Sequence, residues 1–150
     1  LHRGCFDDGW SRSDIAHLLS LPGSFGLIAR CFDRGLSAID GLRGVGFAIC
    51  RVVRDESELL SIGVLQPWRK RGVAGMLLET AMFRAHEAGA EAMFLEVAVD
   101  NVTAQSLYER YRFERVGTRT DYYHRPDGRK TSAYTMKASL GNLRSRVRLG

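Results

Sequence analysis

The 150-residue sequence is short of cysteine, proline and long apolar runs, and each shortage removes a class of protein. Cys5, Cys31 and Cys50 are odd in number, far apart and without C-x-x-C spacing, which argues against a disulfide framework and a zinc or dithiol redox site. They read as buried or incidental thiols in a reducing compartment. Three prolines beside sixteen glycines are too few for a linker or a low-complexity chain, and no internal repeat is present. No run of ~18 apolar residues exists to span a membrane. Residues 1–10 carry Arg3, Asp7 and Asp8 where a signal peptide needs an apolar stretch, so the expected compartment is the cytoplasm. Without a secretion signal, the sequon Asn101-Val102-Thr103 reads as chance. His2, His17, His86 and His124 show no ligand spacing, and no metal is expected.

What is present suffices for one core. A hydrophobic content of 45% over this length supports a single domain, expected over residues 1–140, with residues 141–150 as a basic tail. Twenty-two Lys and Arg against seventeen Asp and Glu leave a net charge of +5, which suits either RNA or an anionic small ligand. The distribution separates the two. Arg69, Lys70 and Arg71 sit beside glycines and look like an anion site, whereas Arg144, Arg146 and Arg148 lie in a tail with little apolar content. Direct nucleic-acid binding is therefore not expected.

Periodicity places the elements. Ile15, Leu18 and Leu19 follow Ser11 and Asp14 at helical spacing, predicting a short helix that ends before Pro22-Gly23. Residues 25–32 form a compact apolar run and a strand; residues 33–44, with Gly35, Gly41 and Gly44, read as a loop. Residues 45–53 and 58–65 read as a hairpin around the polar tetrad 54–57. Residues 72–89 carry Val73, Leu77, Leu78, Ala81 and Ala85 on a helical stripe that stops at Gly89. Residues 92–99 are nearly all apolar, as a central strand should be, except for Glu96. Asp100 or Asn101 then caps a helix bearing Ala104, Leu107, Tyr108 and Tyr111. Residues 113–118 and 130–137 close the order as strands around a turn at 122–128. After the first helix the order is β-β-β-α-β-α-β-β, an α+β domain with a mixed sheet.

A strand followed by Arg69-Lys70-Arg71-Gly72-Val73-Ala74-Gly75 and a long helix has a direct physical use. Small residues let backbone approach a phosphate, the first helical N–H groups are unpaired, and the positive end of the dipole faces the anion. The segment matches neither G-x-x-x-x-G-K-[ST] nor G-x-G-x-x-G. The pattern R-x-x-G-x-A after a strand instead resembles motif A of the GNAT acetyltransferase superfamily. Leu59-Leu60-Ser61-Ile62-Gly63-Val64, Leu95-Glu96-Val97 with Asp100-Asn101, and Leu107-Tyr108-Glu109-Arg110 before Phe113 stand in the order of its RimI-type branch. Trp10-Ser11 and Asp121-Tyr122-Tyr123 fit that branch as well, so the resemblance spans nearly the whole chain.

The resemblance implies a GNAT fold with a mixed, mostly antiparallel sheet flanked by helices. It also implies an acetyl-CoA-dependent N-acetyltransferase that modifies the N-terminal amine of a small-subunit ribosomal protein. Lys70, Arg71, Gly72, Val73, Ala74 and Gly75 would hold the pyrophosphate. Ile62, Gly63 and Val64 would hold the pantetheine arm and polarise the thioester, with the Val64 N–H as oxyanion donor. A glycine in an apolar strand also often marks a bulge or a close backbone approach, and Gly63 is read so. Asn101 would touch the cofactor; as a plain helix cap it fits equally well. Glu96 is the matching base. An α-amine has a pKa of about 7.7–8.0 and cannot attack a thioester until its proton is removed. Tyr108 is the matching acid, donating a proton as the C–S bond breaks. Taken without the family, Glu96 reads as a functional carboxylate or as the ion-pair partner of a nearby Arg, and Tyr108 reads as core.

Direct transfer in a ternary complex is favoured over a covalent acetyl-enzyme. The alternatives are a lysine or small-molecule amine as acceptor, a ribosome- or RNA-binding protein on a degenerate GNAT fold, and a cofactor-binding regulatory domain without turnover. In the family a first strand and part of a helix precede the region equivalent to Cys5. The sequence, which begins at Leu1, is expected to lack them and to leave a sheet edge less covered.

Overall fold

Long apolar-rich segments separated by tight turns fold into one six-stranded sheet in this computed structural model, which describes residues 1–5, 10–32 and 42–141. The strands are β1 (Ser24–Phe32), β2 (Leu42–Val53), β3 (Glu56–Val64), β4 (Ala92–Ala98), β5 (Glu114–His124) and β6 (Lys130–Ser139). Their spatial order is β1-β2-β3-β4-β6-β5. Among the described residues four α-helices accompany them: α1 (His2–Cys5), α2 (Arg12–Ser20), α3 (Val73–Glu87) and α4 (Val102–Arg110). All neighbouring strands are antiparallel except β3 and β4, which run parallel because α3 carries the chain back between them. This is the α+β, mixed and mostly antiparallel architecture expected.

The core follows from the α3 stripe. Leu77, Leu78, Ala81 and Ala85 pack on the sheet face that presents Ala48, Cys50, Leu59, Met93 and Leu95, all of them buried. Ser11 caps α2 through a reciprocal pair, its Oγ accepting from the Asp14 N–H while the Asp14 carboxylate accepts from the Ser11 N–H. Gly89 at φ +99° lies just past the end of α3, where only glycine takes that conformation without strain. Leu140, fully buried, donates its N–H to the Glu91 carbonyl, so the core reaches past the last strand.

Three boundaries differ from the sequence reading. The loop expected at 33–44 lies outside the described residues over 33–41, and its last three residues already belong to β2, paired with β1. The β2–β3 connection is a two-residue turn at Arg54-Asp55, with Arg54 at φ +59°. Tyr122, Tyr123 and His124, expected in a turn, are strand: β5 absorbs register shifts after Arg115 and Arg119 and resumes pairing at Tyr123↔Thr131. The turn itself is closed by the Arg125 N–H on the Arg129 carbonyl. The tail with Arg144, Arg146 and Arg148 lies outside the described residues.

Candidate active site

The first component is the start of α3. Lys70 at φ +59° and Gly72 at φ +80° turn the chain sharply into the helix. Gly72 has nothing within 4 Å of where a Cβ would stand. Among the described residues no side chain caps this helix, and its first intrahelical bond runs from the Met76 N–H to the Gly72 carbonyl. The N–H groups of Val73, Ala74 and Gly75 therefore point out of the helix end without an intrahelical partner. Lys70 and Arg71 are exposed there, the latter with its guanidinium 5.1 Å above the Trp68 ring. Arg69, exposed as well, folds back on β3, its Nε donating to the Val64 carbonyl at 3.0 Å.

The second component is a fork in the sheet. Parallel pairing of β3 with β4 runs from Glu56↔Ala92 to Leu59↔Leu95 and stops. Leu60 is skipped in the β2–β3 ladder, between Cys50↔Leu59 and Ile49↔Ser61, and this bulge accompanies the divergence of β3 from β4. Beyond it β4 pairs with β6 alone, through Glu96↔Thr135 and Ala98↔Ala133. Amide directions alternate along a strand. The Leu65 N–H bonds the Val45 carbonyl on the β2 side, so the Val64 and Ile62 amides face the fork and the Gly63 amide faces Phe47.

That alternation corrects two expectations for Gly63. Its amide faces away from the fork, and the bulge lies at Leu60. Gly63 is the close-approach case: a Cβ there would stand 2.7 Å from the Phe47 ring and 2.8 Å from the Cys5 Cβ, because α1 crosses the strand at that point. His2 of α1 fastens the crossing. It stacks on Trp10, accepts the Trp10 N–H at Nδ1 (3.0 Å) and lies 3.4 Å from Ser61 Oγ through Nε2.

Glu96 is the first β4 residue past the fork, on the face opposite Leu95 and Val97. Its side chain is 16% exposed, and Oε1 is 3.2 Å from Arg119 Nη1. Oε2 is buried and has no hydrogen-bond partner among the described residues. The ion-pair reading of Glu96 is thus real and incomplete: one carboxylate oxygen is left for something else.

Tyr108 approaches from the other side of β4. It is buried in the cluster that holds Leu95 and Val97, with its ring 5.8 Å from that of Phe113. Burial first, and the neighbouring Tyr123 second, push its phenol well above the ordinary value, so it stays protonated across the neutral range. Glu96 and Tyr108 therefore lie on opposite faces of β4 and do not share one cleft wall. Tyr123 connects the two, donating its hydroxyl to the Glu96 carbonyl at 3.4 Å while acting on Tyr108. Asn101 takes the capping role, its Oδ1 accepting the Ala104 N–H at 3.1 Å.

Three residues at the site went unassigned in the sequence. Arg119 holds Glu96 and stacks on Tyr122 at 4.4 Å. Gln105, buried on α4, donates through Nε2 to the carbonyls of Ala98 and Val99, which anchors the end of β4. Tyr123 fitted the family pattern without a role. None carries a spacing signal, since strand register and helix docking alone bring them to the fork.

Solved structures share this fold. The ribosomal-protein-S18-alanine N-acetyltransferase of Escherichia coli superposes with a TM-score of 0.76 at 25% identity, covering 93% of this chain and 83% of that one. Arabidopsis thaliana NAA60 in complex with acetyl-CoA reaches 0.80 at 19% identity, covering 94% and 90%, a likeness of fold alone. The fold is that of N-acetyltransferases. In sequence, residues 2–113 match the model of the acetyltransferase (GNAT) family. The Haemophilus influenzae [ribosomal protein bS18]-alanine N-acetyltransferase is 35% identical over 130 residues, 83% of this chain and 86% of that protein. The chain belongs to the GNAT acetyltransferase family.

Proposed function

We propose that this protein transfers the acetyl group of acetyl-CoA to the N-terminal α-amine of a protein, with a small-subunit ribosomal protein as acceptor, by direct attack. One observation carries the reading: Glu96, with a buried oxygen left unpartnered among the described residues, stands where β3 and β4 part, beside the opening that the Ile62 and Val64 amides face. The likeness to bS18-alanine N-acetyltransferases supports the acceptor class.

The residues present fit the donor. The uncapped start of α3, with open space at Gly72 and exposed Lys70 and Arg71, suits a pyrophosphate; the amides of Val73, Ala74 and Gly75 would bond its oxygens. When bound, acetyl-CoA supplies a thioester whose carbonyl carbon accepts an amine. The Val64 N–H, on a residue whose own carbonyl is held by Arg69, would polarise that carbonyl. Ile62 would bond the pantetheine arm. Glu96 takes the ammonium proton and frees the lone pair. Tyr108, kept protonated by burial, gives a proton to the departing sulfur. The Asn101 amide nitrogen remains available to the cofactor while its oxygen caps α4.

The test is mass spectrometry of candidate N-terminal peptides after incubation with the protein and acetyl-CoA, beside lysine peptides and small amines. A mass gain on the α-amine is expected, with Glu96→Gln lowering kcat by about 10²-fold or more and leaving acetyl-CoA affinity unchanged. Acetylation confined to lysine or small amines, or near wild-type turnover in Glu96→Gln, refutes the assignment.

A further inference from the structure

Glu96 raises a difficulty that its own strand does not solve. Its carboxylate is paired with Arg119, so an acceptor ammonium must compete with a guanidinium for the group that is to deprotonate it. A second carboxylate stands just before the fork. Glu58 on β3 pairs in register with Phe94 on β4, two residues before Glu96, and β4 alternates faces, so Phe94 and Glu96 share the face opposite the core. Glu58 is on that face too, its neighbours Ser57 and Leu59 being buried on the α3 side. Glu58, Glu96 and Arg119 thus meet on one face, from β3, β4 and β5.

The groups that act on Glu58 describe the same cluster. Burial raises its carboxyl above the ordinary value and Glu96 raises it further, while Arg119 and then Arg51 pull it down. Arg51, opposite Glu58 on β2, is tied by its Nε to the Pro22 carbonyl. Arg119 is the cation with a choice. It comes from the edge strand β5, its side chain is 56% exposed, and among the described residues it is held by one carboxylate oxygen and the Tyr122 ring.

We propose that Glu58 is a positioning residue of the acceptor site: it receives the Arg119 guanidinium when the acceptor ammonium comes to Glu96, so base and substrate meet without stranding a cation. Glu58 then selects for acceptors that arrive charged, an α-ammonium rather than a neutral nucleophile. The inference rests on the acetyl-transfer reading above.

A double-substitution cycle tests it. Glu58→Gln should raise the acceptor-peptide KM about tenfold with kcat and acetyl-CoA affinity little changed, and Glu58→Asp should recover most of that loss. In an Arg119→Gln background Glu58→Gln should have no further effect, because no guanidinium remains to be received. An equal effect in both backgrounds, or none in the wild type, overturns the inference. Carboxyl NMR of the wild-type protein gives a readout without turnover. Addition of acceptor peptide should lower the Glu58 titration midpoint as Arg119 moves to it, and an unmoved midpoint also overturns the proposal. Wild-type transfer with additive substitutions removes this inference alone; no transfer to any α-amine by the wild type removes both.

Discussion

Replacing Gly75 with alanine should destabilise the protein, although a helix ordinarily prefers alanine. The preference is worth up to about 1 kcal/mol. Against it, the new Cβ would lie 2.5 Å from the Tyr111 hydroxyl oxygen and 3.3 Å from Cζ. Tyr111 follows α4 and packs against the core, so its ring must tilt outward and give up contact. Overpacking of this kind costs roughly 1–3 kcal/mol, leaving a net loss of about 1 kcal/mol. For a domain of this size that is a Tm decrease of about 2–4 °C. In a Tyr111→Phe background the nearest atom is gone and 3.3 Å remains, so the same Gly75→Ala change should be neutral or stabilising. Because Gly75 lies in the first turn of α3, acetyl-CoA affinity should fall and recover in the same order. Urea and thermal unfolding of the four proteins, with calorimetric titration of acetyl-CoA, read both effects. An equal cost of Gly75→Ala in both backgrounds, or stabilisation in the wild type, refutes the packing account.

Other consequences are equally direct. Tyr108→Phe should lower kcat by about 10²-fold with acetyl-CoA affinity retained, and the wild type should show no alkaline loss of kcat from this phenol up to about pH 10; an unchanged kcat in Tyr108→Phe would leave the residue as core alone. Gln105→Leu strands the carbonyls its amide now serves at the end of β4 and should cost about 1–3 kcal/mol in urea unfolding; a change within error would show that water replaces the amide. Burial lowers the His2 pKa below its ordinary 6.5, so the unfolded chain binds the proton more readily than the native protein. Stability from this residue is therefore full above about pH 6.5 and is lost as pH falls through the native value, as the Trp10 N–H loses its acceptor. Urea titrations from pH 5 to 8 should show that decline in the wild type and lack it in His2→Gln, and parallel curves would exclude His2 as its source.

The order of α2, the six strands, α3 and α4, and the start of α3, were determined by the sequence alone. Apolar spacing over 72–89 and a nearly continuous apolar run at 92–99 obey local periodicities, and glycine at position 72 takes a left-handed conformation at little steric cost whatever surrounds it. Glu96 stood out for the same kind of reason, as a charge in an otherwise apolar strand. Only the tertiary structure decided what these residues face. The fork depends on a bulge at Leu60 and on where β3 stops pairing with β4, and neither leaves a mark in composition. Gly63 lacks a side chain because α1 crosses it, and Arg119, Tyr123, Glu58 and Gln105 reach the fork from positions far apart in the chain. Local propensity is written residue by residue, whereas register and docking are set by all the strands at once.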